Sequence, residues 1–338
     1  MLLNFFVTIF MGAIFTLLLV SPGIRIAVRY RLLDHPFSAP HKTHQNTVPK
    51  AGGLAIFFAV FLVTVIGGKF AAPEVLSILL ASAVIFIFGL WDDAKGLSAG
   101  WKLTGQMLAA SVLLWQGIQI RMFVSAPLLN LTVTCFWIVG ITNAFNLVDS
   151  MDSLAVGLAA IASVFFLFVT VDSNEMNLAF LSAVLLGSCI GMFFFNAPPA
   201  RTFLGDSGAQ FLGFMLATIA MAYTPQGFVQ TSSWFVPILL LSVPILDTAL
   251  VIISRTRQGL PFYKAGQDHL YHRLTQLGLS PVQSVTLMHV AALLTGCLAF
   301  ITLPLPPLWA NMIFGLTALG GLFFIFWLEK NRKPNETG

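Results

Sequence analysis

Apolar runs long enough to cross a bilayer recur from one end of the chain to the other. No other feature restricts its fold so strongly, because a helix needs about 20 apolar residues to span the hydrocarbon core. Read with that ruler, the sequence offers eleven candidate spans: 2–20, 51–68, 75–91, 103–118, 132–148, 155–171, 178–195, 209–224, 235–254, 286–303 and 308–328. The runs at 103–118 and 132–148 contain polar residues and are the weakest of these. Only 9% of the residues are charged and 57% are hydrophobic, whereas soluble domains carry about 25% charge. Such a chain cannot cover a water-facing surface, which excludes a soluble enzyme, and the same apolarity excludes disorder. No repeat with a period on the order of 20–50 residues is visible. The sequence predicts an all-α fold, a polytopic membrane helix bundle forming one integral domain over 1–338.

The first run has no basic leading segment and no small-residue cleavage site before Pro22, so it reads as a spanning helix rather than a signal peptide. Cys135, Cys189 and Cys297 lie apart inside apolar stretches and read as small core residues. Orientation follows from the basic residues. With the N-terminus outside and the C-terminus inside, all of the 17 Lys and Arg except Lys69 and Arg121 fall on the cytoplasmic side. Most acids sort the same way. Glu74, Asp172 and Glu175 are outside, and Asp247 lies inside the ninth run, where an acid is a functional candidate by default. The net charge of +4 then reflects topology and anionic lipid, with no need of nucleic acid.

The internal loops carry five polar constellations. Asp92 and Asp93 end the third run where it meets water, followed by Lys95. Acids at a helix C-terminus oppose the helix dipole, so the pair is either a solvated end or is satisfied by a cation or a shared proton. Asn143, Asn146, Asp149 and Asp152 recur every third residue at the end of the fifth run. If helical, Asn146, Asp149 and Asp152 share one face and offer oxygens suited to a hard cation such as Mg²⁺, and one of the two Asp could instead cap the next helix. Asn196, Arg201 and Gly205-Asp206-Ser207-Gly208 precede the eighth run. There Asp206 is either a simple cap, or a carboxylate beside a backbone N–H cradle for phosphate with a metal between them. His269 and His272 meet on one helical face beside Arg273. They lack the third ligand of a zinc site and read better as an anion site. Lys42 and His44 with Pro49-Lys50-Ala51-Gly52-Gly53 form a basic loop entering a helix, either a functional loop or positive-inside anchoring plus tight helix packing.

At these residues the chain resembles the polyprenyl-phosphate N-acetylhexosamine-1-phosphate transferases. It is most similar to the branch that starts O-antigen, enterobacterial common antigen and wall teichoic acid synthesis. The resemblance covers nearly the whole chain, with the five motifs in family order. It implies a phosphotransferase that moves N-acetylhexosamine 1-phosphate, GlcNAc 1-phosphate above all, from a UDP-sugar to undecaprenyl or another polyprenyl phosphate, releasing UMP. It implies a multi-pass protein of the bacterial cytoplasmic membrane, active on the cytoplasmic side, dependent on Mg²⁺ or Mn²⁺, and homodimeric. By carry-over, Asp206 is the main metal ligand, helped by Asn146 or Asp149. Asp92, Asp93, Asp149 and Asp152 are the catalytic acids, with Asp92 or Asp93 taking or orienting the proton of the lipid phosphate. His269, His272 and Arg273 hold the donor phosphates. Lys42, His44, Lys95, Asn143, Asn196, Arg201, Gly205 and Gly208 complete the substrate site.

Two departures matter. Ser150 and Ser153 stand where the family often has glycine, and Ser lacks glycine's freedom at positive φ. His269-Leu-Tyr-His272 replaces the run of three histidines in the branch that uses UDP-MurNAc-pentapeptide, which makes that peptidoglycan enzyme the second reading. A secondary transporter is the reading from another class. It would place ion sites near the midplane on broken helices, often in inverted repeats, and only Asp247 favours it.

Overall fold

Every one of the eleven apolar runs lies on helix. The structure, a computed structural model, describes residues 2–36, 46–123, 125–224, 230–261, 266 and 268–332. In chain order come α1 (Leu2–Arg29), the two-residue strands β1 (Leu33–Asp34) and β2 (Val48–Pro49), then α2 (Gly52–Ile66), α3 (Pro73–Lys95) and α4 (Ala99–Trp115). α5 (Pro127–Val148), α6 (Leu154–Asp172), α7 (Met176–Asn196) and α8 (Gly205–Ala222) follow. The last third holds the short α9 (Gln230–Ser233) and α10 (Val236–Leu240), then α11 (Ser242–Arg257), the short α12 (Leu270–Gln276), α13 (Pro281–Thr302) and α14 (Pro307–Lys330). β1 and β2 pair antiparallel, Leu33 with Pro49 and Asp34 with Val48.

Local sequence explains where the helices start. Proline stands in the first turn of α3, α5, α10, α13 and α14, where its missing N–H costs nothing. α13 adds a capping box between Ser280 and Gln283. Among the described residues, α1, α3, α5, α6, α7, α13 and α14 are long and apolar enough to cross a membrane. The protein is thus a polytopic membrane bundle. One expected span is corrected: 235–254 is not a single helix but breaks at Leu241 between α10 and α11. Pro244 has no N–H to offer the carbonyl of Leu240, so the chain restarts as a new first turn instead of continuing.

Burial grades the helices. α8 is buried along almost its whole length and packs against α2, α3, α5 and α6. α14 exposes Leu316, Leu319, Phe323 and Phe326, the side chains expected of a lipid-facing helix. The central position of α8 matters for function. Its first turn meets the last turns of α3 and α5 and the residues entering α2, so the polar constellations converge at one end of the bundle.

Candidate active site

Asp93 organises this end. Its Oδ1 accepts from the backbone N–H of Asp206 at 2.9 Å, and its Oδ2 accepts from the N–H of Ser207 at 3.0 Å and the hydroxyl of Ser207 at 2.7 Å. Lys50 Nζ approaches Oδ1 to 3.2 Å, and the Asp93 side chain is wholly buried. The carboxylate that sits unfavourably at the C-terminus of its own helix therefore lies at the positive N-terminus of α8, beside an ammonium. Gly205 permits this approach. Its φ is +72°, and a Cβ there would lie 2.6 Å from Asp93 Oδ2. Gly208 is used for packing, since its added Cβ would stand 2.8 Å from the Cα of Gly53. One expectation is corrected here: the first N–H groups of α8 are not a free phosphate cradle, because Asp93 already fills them.

Asp92 faces the other way. Its Oδ1 accepts from the N–H of Leu97 at 2.6 Å, closing the turn at Gly96, and its Oδ2 forms an ion pair with Lys102. The same ammonium lies 3.4 Å from Asp206 Oδ1, which also accepts from Asn146 Nδ2 at 2.6 Å. Below them Asn143 and Gln106 exchange amide hydrogen bonds at 3.0 and 3.2 Å, and Gln106 reaches Gln210 Oε1 at 3.5 Å. Lys102, Gln106 and Gln210 were not singled out from the sequence, and Lys50 was noted only as part of the loop entering α2. Lys102 carried a signal that could have found it, a cation in the first turn of the helix that follows the acid pair.

The regular ladder is corrected as well. α5 ends at Val148, so Asp149 caps it and Asp152 lies in the following turn, off any shared helix face with Asn146. Asp152 Oδ2 accepts from the N–H of Ala200 at 3.0 Å, and Asn196 Oδ1 accepts from the N–H of Ser153 at 3.0 Å. These two residues tie the α5–α6 turn to the loop before α8. Ser153 adopts φ +63° although it is not glycine. Asp149 makes no side-chain hydrogen bond among the described residues. Burial, then the charges of Asp206 and Asp93, push its carboxyl well above the usual carboxylate range. Burial works to lower the Lys50 ammonium, but Asp93 and Asp206 outweigh it and raise it.

The entry to α2 lies alongside the entry to α8. Phe203 N–H donates to Pro49 O at 3.0 Å, Gly52 N–H to Phe203 O at 2.9 Å, and Thr202 Oγ1 to Pro49 O at 2.7 Å. Arg201 turns away, donating to Phe194 O at 3.1 Å and stacking over Phe195. Lys95 is exposed at the end of α3. Lys42 and His44 fall outside the described residues.

The histidine segment forms a second cluster. Asp268 accepts from Arg255 Nε at 3.3 Å and Gln258 Nε2 at 3.4 Å. Burial alone would raise its pKa, but these donors and Arg273 hold it below the usual range. Arg273 is buried and donates to Glu329 Oε1 at 2.9 Å and Ser254 Oγ at 2.8 Å. His272 Nε2 meets the Tyr271 hydroxyl, which lies beside Ser150 in the α5–α6 turn. His269 Nδ1 lies 2.9 Å from Asp247 Oδ2. Asp247 is thus accounted for inside the protein, which removes the one observation in favour of a transporter.

The acidic cluster suits a divalent cation in its donor chemistry. Asp206, Asn146 and Asp149 offer hard oxygens, and the Lys102 ammonium between Asp92 and Asp206 shows that the pair draws a cation. Among the described residues no group of three or more His, Cys, Asp or Glu forms a ready metal cage. A Mg²⁺ ion needs only one or two carboxylates and completes its shell with water and substrate phosphate. A cavity of about 700 Å³ lies at the opposite ends of α5 and α8, lined by Ile120, Trp137, Met221 and Trp234, and includes none of these residues.

A family model described as glycosyl transferase family 4 matches residues 75–224. That stretch contains Asp92, Asp93, Asn146, Asp149 and Asp206, and leaves out Lys50 and the histidine segment. The chain is 32% identical over 294 residues to the "probable undecaprenyl-phosphate N-acetylglucosaminyl 1-phosphate transferase" of Bacillus subtilis, covering 84% of this chain and 81% of that one. It is 32% identical over 329 residues to a decaprenyl-phosphate N-acetylglucosaminephosphotransferase of Mycobacterium tuberculosis, covering 86% and 79%. Against a phospho-N-acetylmuramoyl-pentapeptide-transferase of Clostridium beijerinckii the identity is 25% over 316 residues, covering 87% and 94%.

Proposed function

Because the chain belongs to glycosyl transferase family 4, we propose that it transfers N-acetylhexosamine 1-phosphate from a UDP-sugar to a polyprenyl phosphate. The donor is UDP-GlcNAc and the acceptor undecaprenyl phosphate, in the first membrane step of a cell-surface polysaccharide of the O-antigen or teichoic acid type. The relatives' names support the sugar and the lipid class. The observation that carries the reading is the acid-rich end of the bundle, where Asp92 and Asp206 flank the Lys102 ammonium and Asn146 donates to Asp206. The whole chain acts as one domain of eleven spans in a bacterial cytoplasmic membrane, N-terminus outside, with this end in the cytoplasm. The positive-inside sorting supports that orientation. The homodimer remains part of the proposal.

In the reaction an oxygen of the lipid phosphate bonds to the β-phosphorus of the UDP-sugar. The bond from that phosphorus to the bridging oxygen breaks, and UMP leaves with the bridging oxygen. Bound Mg²⁺, held by Asp206 and Asn146 with Asp149 beside them, would offset charge on the diphosphate. Lys102 and Lys50 keep the acidic cluster from repelling the anionic substrates. Asp149, whose side chain makes no hydrogen bond among the described residues, takes the proton of the lipid phosphate. Asp93 fixes the first turn of α8 and with it Asp206.

The test is a panel of UDP-sugars, with UDP-MurNAc-pentapeptide among them, offered to purified protein with undecaprenyl phosphate and Mg²⁺. UMP release with UDP-GlcNAc is the expected outcome. Release only with the MurNAc donor would transfer the protein to the peptidoglycan branch, and no release with any donor that binds would overturn the enzyme reading.

A further inference from the structure

Asp247 stands in α11, and its side chain is 1% exposed. Both of its oxygens are engaged by the segment that begins α12. Oδ1 accepts from the N–H of Leu270 at 2.6 Å, and Oδ2 meets His269 Nδ1 at 2.9 Å. Leu270 is the first residue of α12, so its N–H has no partner within the helix, and the carboxylate supplies one. An ionised carboxylate only accepts, so the proton it shares with the imidazole lies on Nδ1. A ring held in this way has one tautomer and one orientation, with Nε2 as its free end. Among the described residues the imidazole makes no other hydrogen bond.

The surroundings of this pair separate it from its neighbours. Arg273, Arg255 and Asp268 are joined to one another and to Glu329 and Arg332. His272 is turned to Tyr271. His269 is the member of the segment whose second nitrogen is left for something outside the protein's own network. Tyr271, two residues on, lies beside Ser150, the residue that follows Asp149 in the α5–α6 turn.

We propose that Asp247 is a positioning residue for the transfer reaction: it locks His269 so that Nε2 contacts a phosphate of the bound substrates. This rests on the transferase reading above. The arrangement has the logic of a buried acid that orients a histidine and fixes its tautomer. It also explains why an acid lies deep in a helix next to the broken turn at Leu241. The break sets α11 at the height where its second turn can reach the start of α12.

The decisive substitution is Asp247→Asn. Its carbonyl oxygen can still accept from Leu270, but its amide group donates towards Nδ1 and forces the proton onto Nε2. The expected result is a folded protein, with a Tm close to wild type, whose turnover falls on the order of 100-fold with little change in UMP binding. His269→Gln should lose a similar factor, and the double variant should be no slower than His269→Gln alone. Full activity in folded Asp247→Asn, or losses that multiply in the double variant, would overturn the proposal. Should Asp247→Asn fail to fold, Asp247→Glu gives the second route, with partial activity expected and loss equal to His269→Gln counting against the pairing. Nitrogen-15 spectra of labelled histidine read the tautomer without any turnover. A switch of protonated nitrogen between wild type and Asp247→Asn is expected, and an unchanged tautomer would overturn the pairing. Absence of UMP release by wild type would instead strike the transferase reading and leave that spectral result standing.

Discussion

Two charged clusters of this protein combine acidic and basic residues in different proportions. At the entry to α8, Asp92, Asp93, Asp149 and Asp206 are matched, among the described residues, by Lys50 and Lys102. Around α12, Asp247, Asp268 and Glu329 are matched by Arg255, Arg273, Arg332 and His269. The first cluster has an excess of negative charge and attracts cations. The second is balanced, and charged histidine would tip it positive. A low-dielectric site tolerates an uncompensated charge only where a ligand completes it. The first cluster is therefore the one that suits the metal-bridged diphosphate of the proposed reaction. In the second, most of the charge is engaged in holding α11, α12 and α14 together.

The contrast can be broken most forcefully at Asp206. Asp206→Asn should lower turnover on the order of 10³-fold, the scale of losing a main electrostatic contact to the transition state, while circular dichroism and Tm stay near wild type. Near-normal UMP release would remove Asp206 from the metal site. Asp93 should behave differently, because its carboxylate supports structure. Asp93→Asn replaces an acceptor with an amide that faces two N–H groups and leaves Lys50 without its partner. It should cost about 4 kcal/mol of stability, read by thermal unfolding in detergent. Loss of activity with unchanged stability would instead mark Asp93 as part of the chemistry.

The same question sharpens the second cluster. Arg273→Gln should cost about 3 kcal/mol, slightly less because Asp268 keeps Arg255. The KM for the UDP-sugar should hardly move. A large rise in that KM at unchanged stability would mean that the guanidinium reaches the donor, as the family resemblance implies. The smallest effect belongs to Ser153. At φ +63° a serine is strained and a glycine is not, but glycine also loses more chain entropy on folding. Ser153→Gly should therefore stay within about 1 kcal/mol of wild type. A larger loss would show that the Ser153 side chain itself supports the turn.

Much of the site was legible in the sequence because it is made of polar residues in an apolar chain. Asp92, Asn146, Asp149 and Asp206 are visible as interruptions of hydrophobic runs, and the structure brings them to one end of the bundle. Their division of labour was not legible. Adjacent Asp92 and Asp93 look equivalent on paper, but successive residues on a helix point about 100° apart, so one meets Lys102 and the other enters the base of α8. The three-residue ladder suggested a single face because helix geometry was extended past Val148, where the backbone stops being helical. Lys102 and Gln106 were overlooked because a polar residue near a helix start is ordinary until its neighbours are known.

By itself the sequence determined that the chain is a membrane bundle and which family it joins. Those conclusions depend on composition and spacing, which survive any rearrangement of the helices. The tertiary structure decided which carboxylate caps, which pairs with lysine and which remains free. It also decided that Asp247 answers to His269 across 22 residues of chain. Such assignments depend on distances of a few ångströms between segments far apart in sequence, and only packing sets those distances.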